Sequence, residues 1–167
     1  MKKHLATLAA AISFCSLAHA APAVPNYELF VALSHDGATL TTARSIIRDS
    51  FGNVVPLHVS SGTSVGYGEC AKTANGQSVT SHQKFVGHLV QVVPTKIDGT
   101  AFDLSVTAAD TLATGITNEG PADCVRQVVH TKGLDVHDIV VHMNAGDTTE
   151  VPIGDAHYKL VLKLVAE

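Results

Sequence analysis

Residues 85–111 read FVGHLVQVVPTKIDGTAFDLSVTAADT, and the reading of this stretch decides the fold. Phe102, Leu104, Val106 and Ala108 alternate with Asp103, Ser105 and Thr107. A period of two sends one row of side chains to a core and the other to water, the pattern of a half-buried strand. Residues 86–93 are almost unbroken aliphatic and β-branched, which suits a strand buried on both faces. Pro94 is expected to stop that strand, because proline cannot donate to a ladder. Asp98-Gly99 then supplies the tolerance of positive φ that a tight reversal needs. The two runs read as a long hairpin.

Outward from the hairpin, the same alternation recurs. Tyr27, Leu29, Val31 and Leu33 occupy alternate places, and His35-Asp36-Gly37 signals a turn. Residues 38–51 are ambiguous: Leu40, Ala43, Ile46 and Ile47 have helical spacing, while Thr39, Thr41 and Thr42 favour a strand. Gly52-Asn53 breaks the run, and residues 54–60 read as a strand with Val55, Leu57 and Val59 on one face. Residues 61–77 are rich in Gly, Ser, Thr and Asn and read as a loop, as does the polar stretch 113–123. Cys124 leads into a strand over 125–131, which Gly133 is expected to break. Ile139, Val141 and Met143 alternate on the next strand, and residues 144–147 form a turn. In the last strand Tyr158, Leu160, Leu162 and Leu164 point inward, with His157, Lys159, Lys163 and Glu167 outward. Seven or eight short strands in one domain imply an all-β, single-domain antiparallel β-sandwich or small barrel-like sheet.

At the start of the chain, Lys2 and Lys3 precede an apolar run over 5–17, closed by Ala18-His19-Ala20. A charged n-region, an apolar h-region and an A-x-A site describe a signal peptide over residues 1–20, with the β-rich domain over 21–167. The run is shorter than the ~20 residues of a spanning helix, so no membrane span is expected after cleavage. Periplasm is the expected location, with the extracellular space as the alternative.

Three cysteines are present, and Cys15 leaves with the leader. Cys70 and Cys124 remain, an even pair in an oxidising compartment, and one disulfide is expected between them. No C-x-x-C spacing supports a redox or metal role. Without Lys2 and Lys3 the domain holds nine basic and fifteen acidic residues, a net charge of −6 with histidines neutral. Such a surface has no basic patch to release counterions, so nucleic acid is excluded as a partner.

The order of signals resembles the conserved β-module of bacterial secretins, the outer-membrane ring proteins of type II and type III secretion and of type IV pili. The threonine-rich strand, turn and hydrophobic strand of that module correspond to ATLTTARSIIRDSFGNVVPLHV, residues 38–59. Its v-G-x-x-L-x-V-x-P-x-I-x-x-D-G hairpin corresponds to Val86-Gly87, Leu89, Val93-Pro94 and Ile97-Asp98-Gly99, and its G-[DE]-T turn to Gly146-Asp147-Thr148. The resemblance implies a strand over 38–51. The chain departs from secretins in having Glu150-Val151-Pro152-Ile153-Gly154 where they carry a glycine-rich segment, and it has no room for their ring-building or membrane-spanning parts. The resemblance therefore implies an envelope accessory subunit rather than a ring channel.

Eight histidines fall in the domain: His35, His58, His82, His88, His130, His137, His142 and His157. Strand-borne metal ligands must share a face or converge from neighbouring strands. His82 and His88 are six apart and share a face on a regular strand, whereas His137 and His142, five apart, fall on opposite faces. No H-x-H, H-E-x-x-H or Cys/His cluster appears, so no metal site is assigned. These four histidines are the candidate ligands of the alternative reading, a periplasmic copper- or zinc-binding protein. Ser60, Ser61 and Ser64 lack a G-x-S-x-G elbow, and residues 62–68 (GTSVGYG) lack the ending of a phosphate loop, so neither a catalytic residue nor a cofactor is expected. The sequence points to a non-catalytic interaction module with an envelope protein as partner. Strand addition would use residues 28–33 or 158–165 if either is a sheet edge, whereas an internal place is the alternative for both and the expected one for 158–165.

Overall fold

The computed structural model describes residues 26–48 and 55–167. The expected signal peptide, residues 21–25 and the expected break at Gly52-Asn53 lie outside the described residues. Among the described residues, eight strands form two antiparallel four-stranded sheets. They are β1 (Asn26–His35), β2 (Ala38–Arg48), β3 (Leu57–Thr73), β4 (Gly76–Asp98), β5 (Ala101–Glu119), β6 (Arg126–Asn144), β7 (Thr148–Val151) and β8 (Tyr158–Ala166). Sheet A has the order β2-β1-β8-β7 and sheet B the order β3-β4-β5-β6. Among the described residues no helix is long and apolar enough to cross a membrane.

The core is built by parity. Tyr27, Leu29, Val31 and Leu33 of β1 meet Leu160, Leu162 and Leu164 of β8 in one layer; Phe102, Leu104, Val106 and Ala108 of β5 meet Val90 and Val92 of β4 in the other. Eleven of these large side chains are under 2% exposed, and each contributes roughly 1.5–3 kcal/mol by leaving water. Tyr27 meets Phe102 edge-on across the two layers, ring centroids 4.8 Å apart, and its hydroxyl donates to the Gly99 carbonyl at 3.1 Å. Asp36 and Gly37, both at positive φ, close the β1–β2 hairpin as the two-residue loop that the strand twist favours. Residues 38–48 are therefore strand; β-branching prevails over helical spacing because β1 offers a complete ladder.

Several expectations need correction. Residues 61–77 are not a loop: β3 pairs with β4 from Leu57↔Val92 to Thr73↔Gly76, so the disulfide pins a strand. Residues 113–119 belong to β5, and β6 runs unbroken through Gly133. Both segments are polar because nothing packs over them, and their composition is then that of a loop. Pro94 does not stop β4. Since β3 begins opposite Val92, Pro94 stands where β4 has become a local edge and a missing N–H costs nothing. Val86, Val90 and Val92 are buried, but Leu89 and Val93 on the other face of β4 are only half-buried. Val55 lies before β3 and is exposed. Finally, residues 28–33 are no edge, since β1 lies between β2 and β8, while 158–165 are internal as expected, β8 lying between β1 and β7. The edges of that sheet are β2 and β7.

Sheet A strands are 4 to 11 residues long and sheet B strands 17 to 23. About half of sheet B consequently has no opposing layer, and it forms an arm. None of residues 63–73, 76–86, 112–119 or 126–132 joins the core cluster.

Candidate functional site

The boundary between sandwich and arm is one row of residues across sheet B: Gly62↔Gly87↔Thr111↔Gly133. A Cβ on Gly87 would lie 2.4 Å from the Ser61 carbonyl oxygen, and one on Gly133 would lie 2.0 Å from that of Asp110. Backbones approach so closely here that only glycine fits, and Gly87 and Gly133 take φ of +135° and +111°. The one side chain in the row, Thr111, is buried, and its Oγ1 accepts from Gly87 N at 3.3 Å.

Past this row the sheet curls until its outer strands meet. Cys70 of β3 and Cys124, just before β6, form a disulfide with Cα atoms 5.2 Å apart. Gly68 N donates to Gln127 Oε1 at 2.8 Å, and Lys72 pairs with Asp123 at 2.7 Å. One contact thus joins β3 to β6 directly, and two join β3 to the connection just before β6. Tyr67, Glu69, Lys84, Glu119, Arg126 and Gln127 line an open groove of ≈ 370 Å³ on the arm. Tyr67 stacks on His82, whose Nε2 is 3.4 Å from Glu69, while Arg126 donates from Nε and Nη2 to Glu119 Oε2.

At the base of the arm the inward-facing rows end in polar residues. Parity carries β1 to His35, β4 to His88, β5 to Asp110 and β8 to Tyr158. These four converge. His88 Nδ1 is enclosed and lies 2.8 Å from Asp110 Oδ1, off the line of a hydrogen bond. Tyr158 donates its hydroxyl proton to Asp110 Oδ2 at 3.0 Å, and His35 Nδ1 lies 3.5 Å from the same oxygen. The His35 and Tyr158 rings stack at 4.1 Å. Burial, and then the hydrogen bond to Asp110, hold the Tyr158 phenol above its ordinary range, so it remains a donor. Beyond His35, Asp36 accepts from His157 Nδ1 at 2.6 Å. That hydrogen bond lowers the pKa of Asp36 and raises that of His157. An open cleft of ≈ 460 Å³ beside the cluster is lined by His35, Leu134, Asp135, Asp155 and Tyr158.

The four candidate metal ligands are dispersed. His82 sits on the arm against Tyr67 and Glu69, and His88 on the sandwich side of the glycine row against Asp110. His137 and His142 share the outer face of sheet B, contrary to the regular-strand expectation. Thr107 opposes both His137 and Asp138 in a β-bulge, with Asp138 at φ +53°, and the extra residue restores the same face. His137 pairs with Asp135 and His142 with Asp103. Among the described residues no group of three or more His, Cys, Asp or Glu side chains is placed to hold a metal ion. Sequence reasoning took Tyr158 as a core-facing residue and Asp36 as part of a turn, and it did not single out Asp110. The signal for Asp110 was present, since continuing the Phe102–Ala108 row by two residues reaches it.

No family model matches the chain, and neither a curated protein nor a solved structure matches it.

Proposed function

We propose that this chain is an exported, non-catalytic interaction module of the cell envelope, and that the arm of sheet B is the part that meets its protein partner. The observation that carries this reading is the arm itself. It contributes nothing to the core cluster, yet it is a fully paired four-stranded sheet closed by a disulfide. Ordering a residue costs about 1–2 kcal/mol in backbone entropy alone. A segment that recovers so little of this by burial is accounted for by a contact outside the domain. The disulfide suits an oxidising compartment, and the resemblance of residues 38–59 and 86–99 to the secretin β-module supports an envelope setting.

The groove residues suit a polar protein surface, with two cations (Lys84, Arg126) balanced by two anions (Glu69, Glu119) around the Tyr67–His82 stack. The test is photo-crosslinking in the envelope of producing cells, with the reactive group placed at Tyr67 or Ile116 on the arm, or at Val140 on the sandwich. Discrete adducts from the arm positions and none from Val140 are expected. Adducts from Val140 alone, or from no position, would overturn the reading.

A further inference from the structure

Strand addition needs a sheet edge whose backbone groups are free, and the edge strands of the two sheets differ in how they are defended. β7 is four residues long and is followed by Pro152. β6 carries the bulge at Asp138, and in the arm it meets β3 through the Gly68–Gln127 bond. β3 begins directly after Pro56 and lies in the arm for most of its length. β2 has none of these devices. It runs for 11 residues without proline, glycine or lysine, and past one register shift near its start it pairs evenly with β1 from Thr41 to Arg48.

The ladder shows which backbone groups of β2 are unused. Glu167 N donates to Asn26 O at 3.0 Å, so the even-numbered residues of β1 turn their backbone groups to β8 and the odd-numbered ones turn theirs to β2. The partners of those odd-numbered residues are Thr41, Ala43, Ser45 and Ile47. Thr42, Arg44 and Ile46 lie between them, and their N–H and C=O groups point away from β1, where no further strand follows in the sheet. Their side chains are exposed on the outer face, Ile46 at 45%, while Ile47 is buried and Ala43 packs on the core.

Charge selects the occupant. The strands of sheet A hold four basic residues (Arg44, Arg48, Lys159, Lys163) and two acidic ones (Glu28, Glu150), whereas the rest of residues 21–167 holds five basic and thirteen acidic residues. Sheet A is thus a positive element of an acidic domain. An open cleft of ≈ 260 Å³ on its outer face is lined by Glu28, Phe30, Arg44, Lys163 and Val165. Arg44 lies over the Phe30 ring at 5.5 Å and has the Glu28 carboxylate at 3.5 Å, a long contact that leaves guanidinium donors for another acceptor. We propose that β2 accepts, by strand addition, an extended segment of a partner protein that carries carboxylates at alternate positions. Main-chain hydrogen bonds to Thr42, Arg44 and Ile46 hold the segment. Its carboxylates fall beside Arg44 on the outer face, and its small or apolar residues fall beside Ala43 and Ser45. A second copy of this chain fits less well, because β2 against β2 brings basic residues together. The contact lies on sheet A, apart from the arm, and does not depend on what the arm meets.

Titration of the isotope-labelled purified chain with a capped peptide of alternating valine and glutamate, followed by NMR at pH 7, tests this. Shifts and slowed exchange are expected at the amides of Thr42, Arg44 and Ile46, while those of Ala43 and Ser45, already bonded to β1, are protected before and after. The same peptide with lysine for glutamate is expected to bind about tenfold more weakly, and Arg44→Glu to remove that preference. Thr42→Pro deletes an N–H that the native ladder does not use, so the domain is expected to fold and the added strand to be lost. If that variant does not fold, the charge reversal at Arg44 decides. No change at β2 with either peptide, equal binding of both, or changes confined to the arm or β7 would overturn the proposal. So would a glutamate preference that survives Arg44→Glu, full binding to a folded Thr42→Pro chain, or concentration-dependent pairing of β2 without peptide.

Discussion

Tyr158 of β8 donates its phenolic proton to Asp110 of β5 across 3.0 Å, joining the two sheets at the point where sheet B leaves the sandwich. Asp110 is only 16% exposed, so the bond is poorly replaced by water. Tyr158→Phe is expected to destabilise the domain by about 1 kcal/mol, and Asp110→Asn by about 1–3 kcal/mol, because the asparagine also loses the imidazoles. Urea unfolding of both single variants and the double variant at pH 7 should give a coupling energy of about 1 kcal/mol. Strict additivity would show that the contact contributes nothing.

The His157–Asp36 pair gives a pH dependence whose sign is fixed. The hydrogen bond from His157 raises its own pKa above 6.5 and lowers that of Asp36 below 3.8. The histidine's contribution is fully present below its unfolded value and is lost as pH rises through the folded one. That of the aspartate is present above its unfolded value and is lost as pH falls through the folded one. Native-state NMR titration should place the His157 midpoint above that of a model peptide, and Asp36→Asn should return it. An unshifted midpoint in the parent chain would exclude the pair.

Gly133 holds φ +111° with the Asp110 carbonyl oxygen 2.0 Å from where a Cβ would stand. Gly133→Ala is expected to cost more than the ~1–3 kcal/mol of backbone strain alone, because backbone rather than a flexible side chain must yield. Gly99 has φ +61° with nothing within 4 Å of its Cβ site, so Gly99→Ala is expected to cost only ~1 kcal/mol. Guanidinium midpoints compare the two, and equal losses would contradict a close-packed row at the bend.

The disulfide spans a sequence separation of 54, for which the chain-entropy account gives about 4 kcal/mol. Replacing both Cys70 and Cys124 by serine is expected to remove stability unevenly. Amides over 64–72 and 126–131 should lose protection first, while those of Phe102, Leu104, Leu160 and Leu162 keep theirs. Uniform loss would mean that arm and sandwich unfold as one unit.

Where one face of a strand is apolar, the sequence was legible residue by residue. The rows Tyr27 to Leu33, Phe102 to Ala108 and Tyr158 to Leu164 are inward in the structure as their alternation requires. The Cys70–Cys124 pairing was legible because only these two cysteines fall within residues 21–167. The arm was not, since a strand that buries so few side chains needs no alternation, and Ser-Gly-Thr-rich β3, exposed or half-buried beyond Leu57, then has the composition of a loop. The positions of His137 and His142 were hidden for another reason. The bulge at Asp138 depends on pairing with Thr107, 31 residues away in the chain, and no local pattern encodes it. The cluster around Asp110 was half legible: parity leads to it, but convergence of four strands is a property of the packed sheets.

The central claim is that sheet B continues past its glycine row and curls until β3 meets β6. Nuclear Overhauser contacts in the oxidised protein test it most directly. Cross-strand contacts between Gly62 and Gly87 and between Thr111 and Gly133, together with one from the Gly68 amide to the Gln127 side chain, are the expected result. Contacts that end at Ser61 and His88, with coil-like shifts over 62–73, would contradict it.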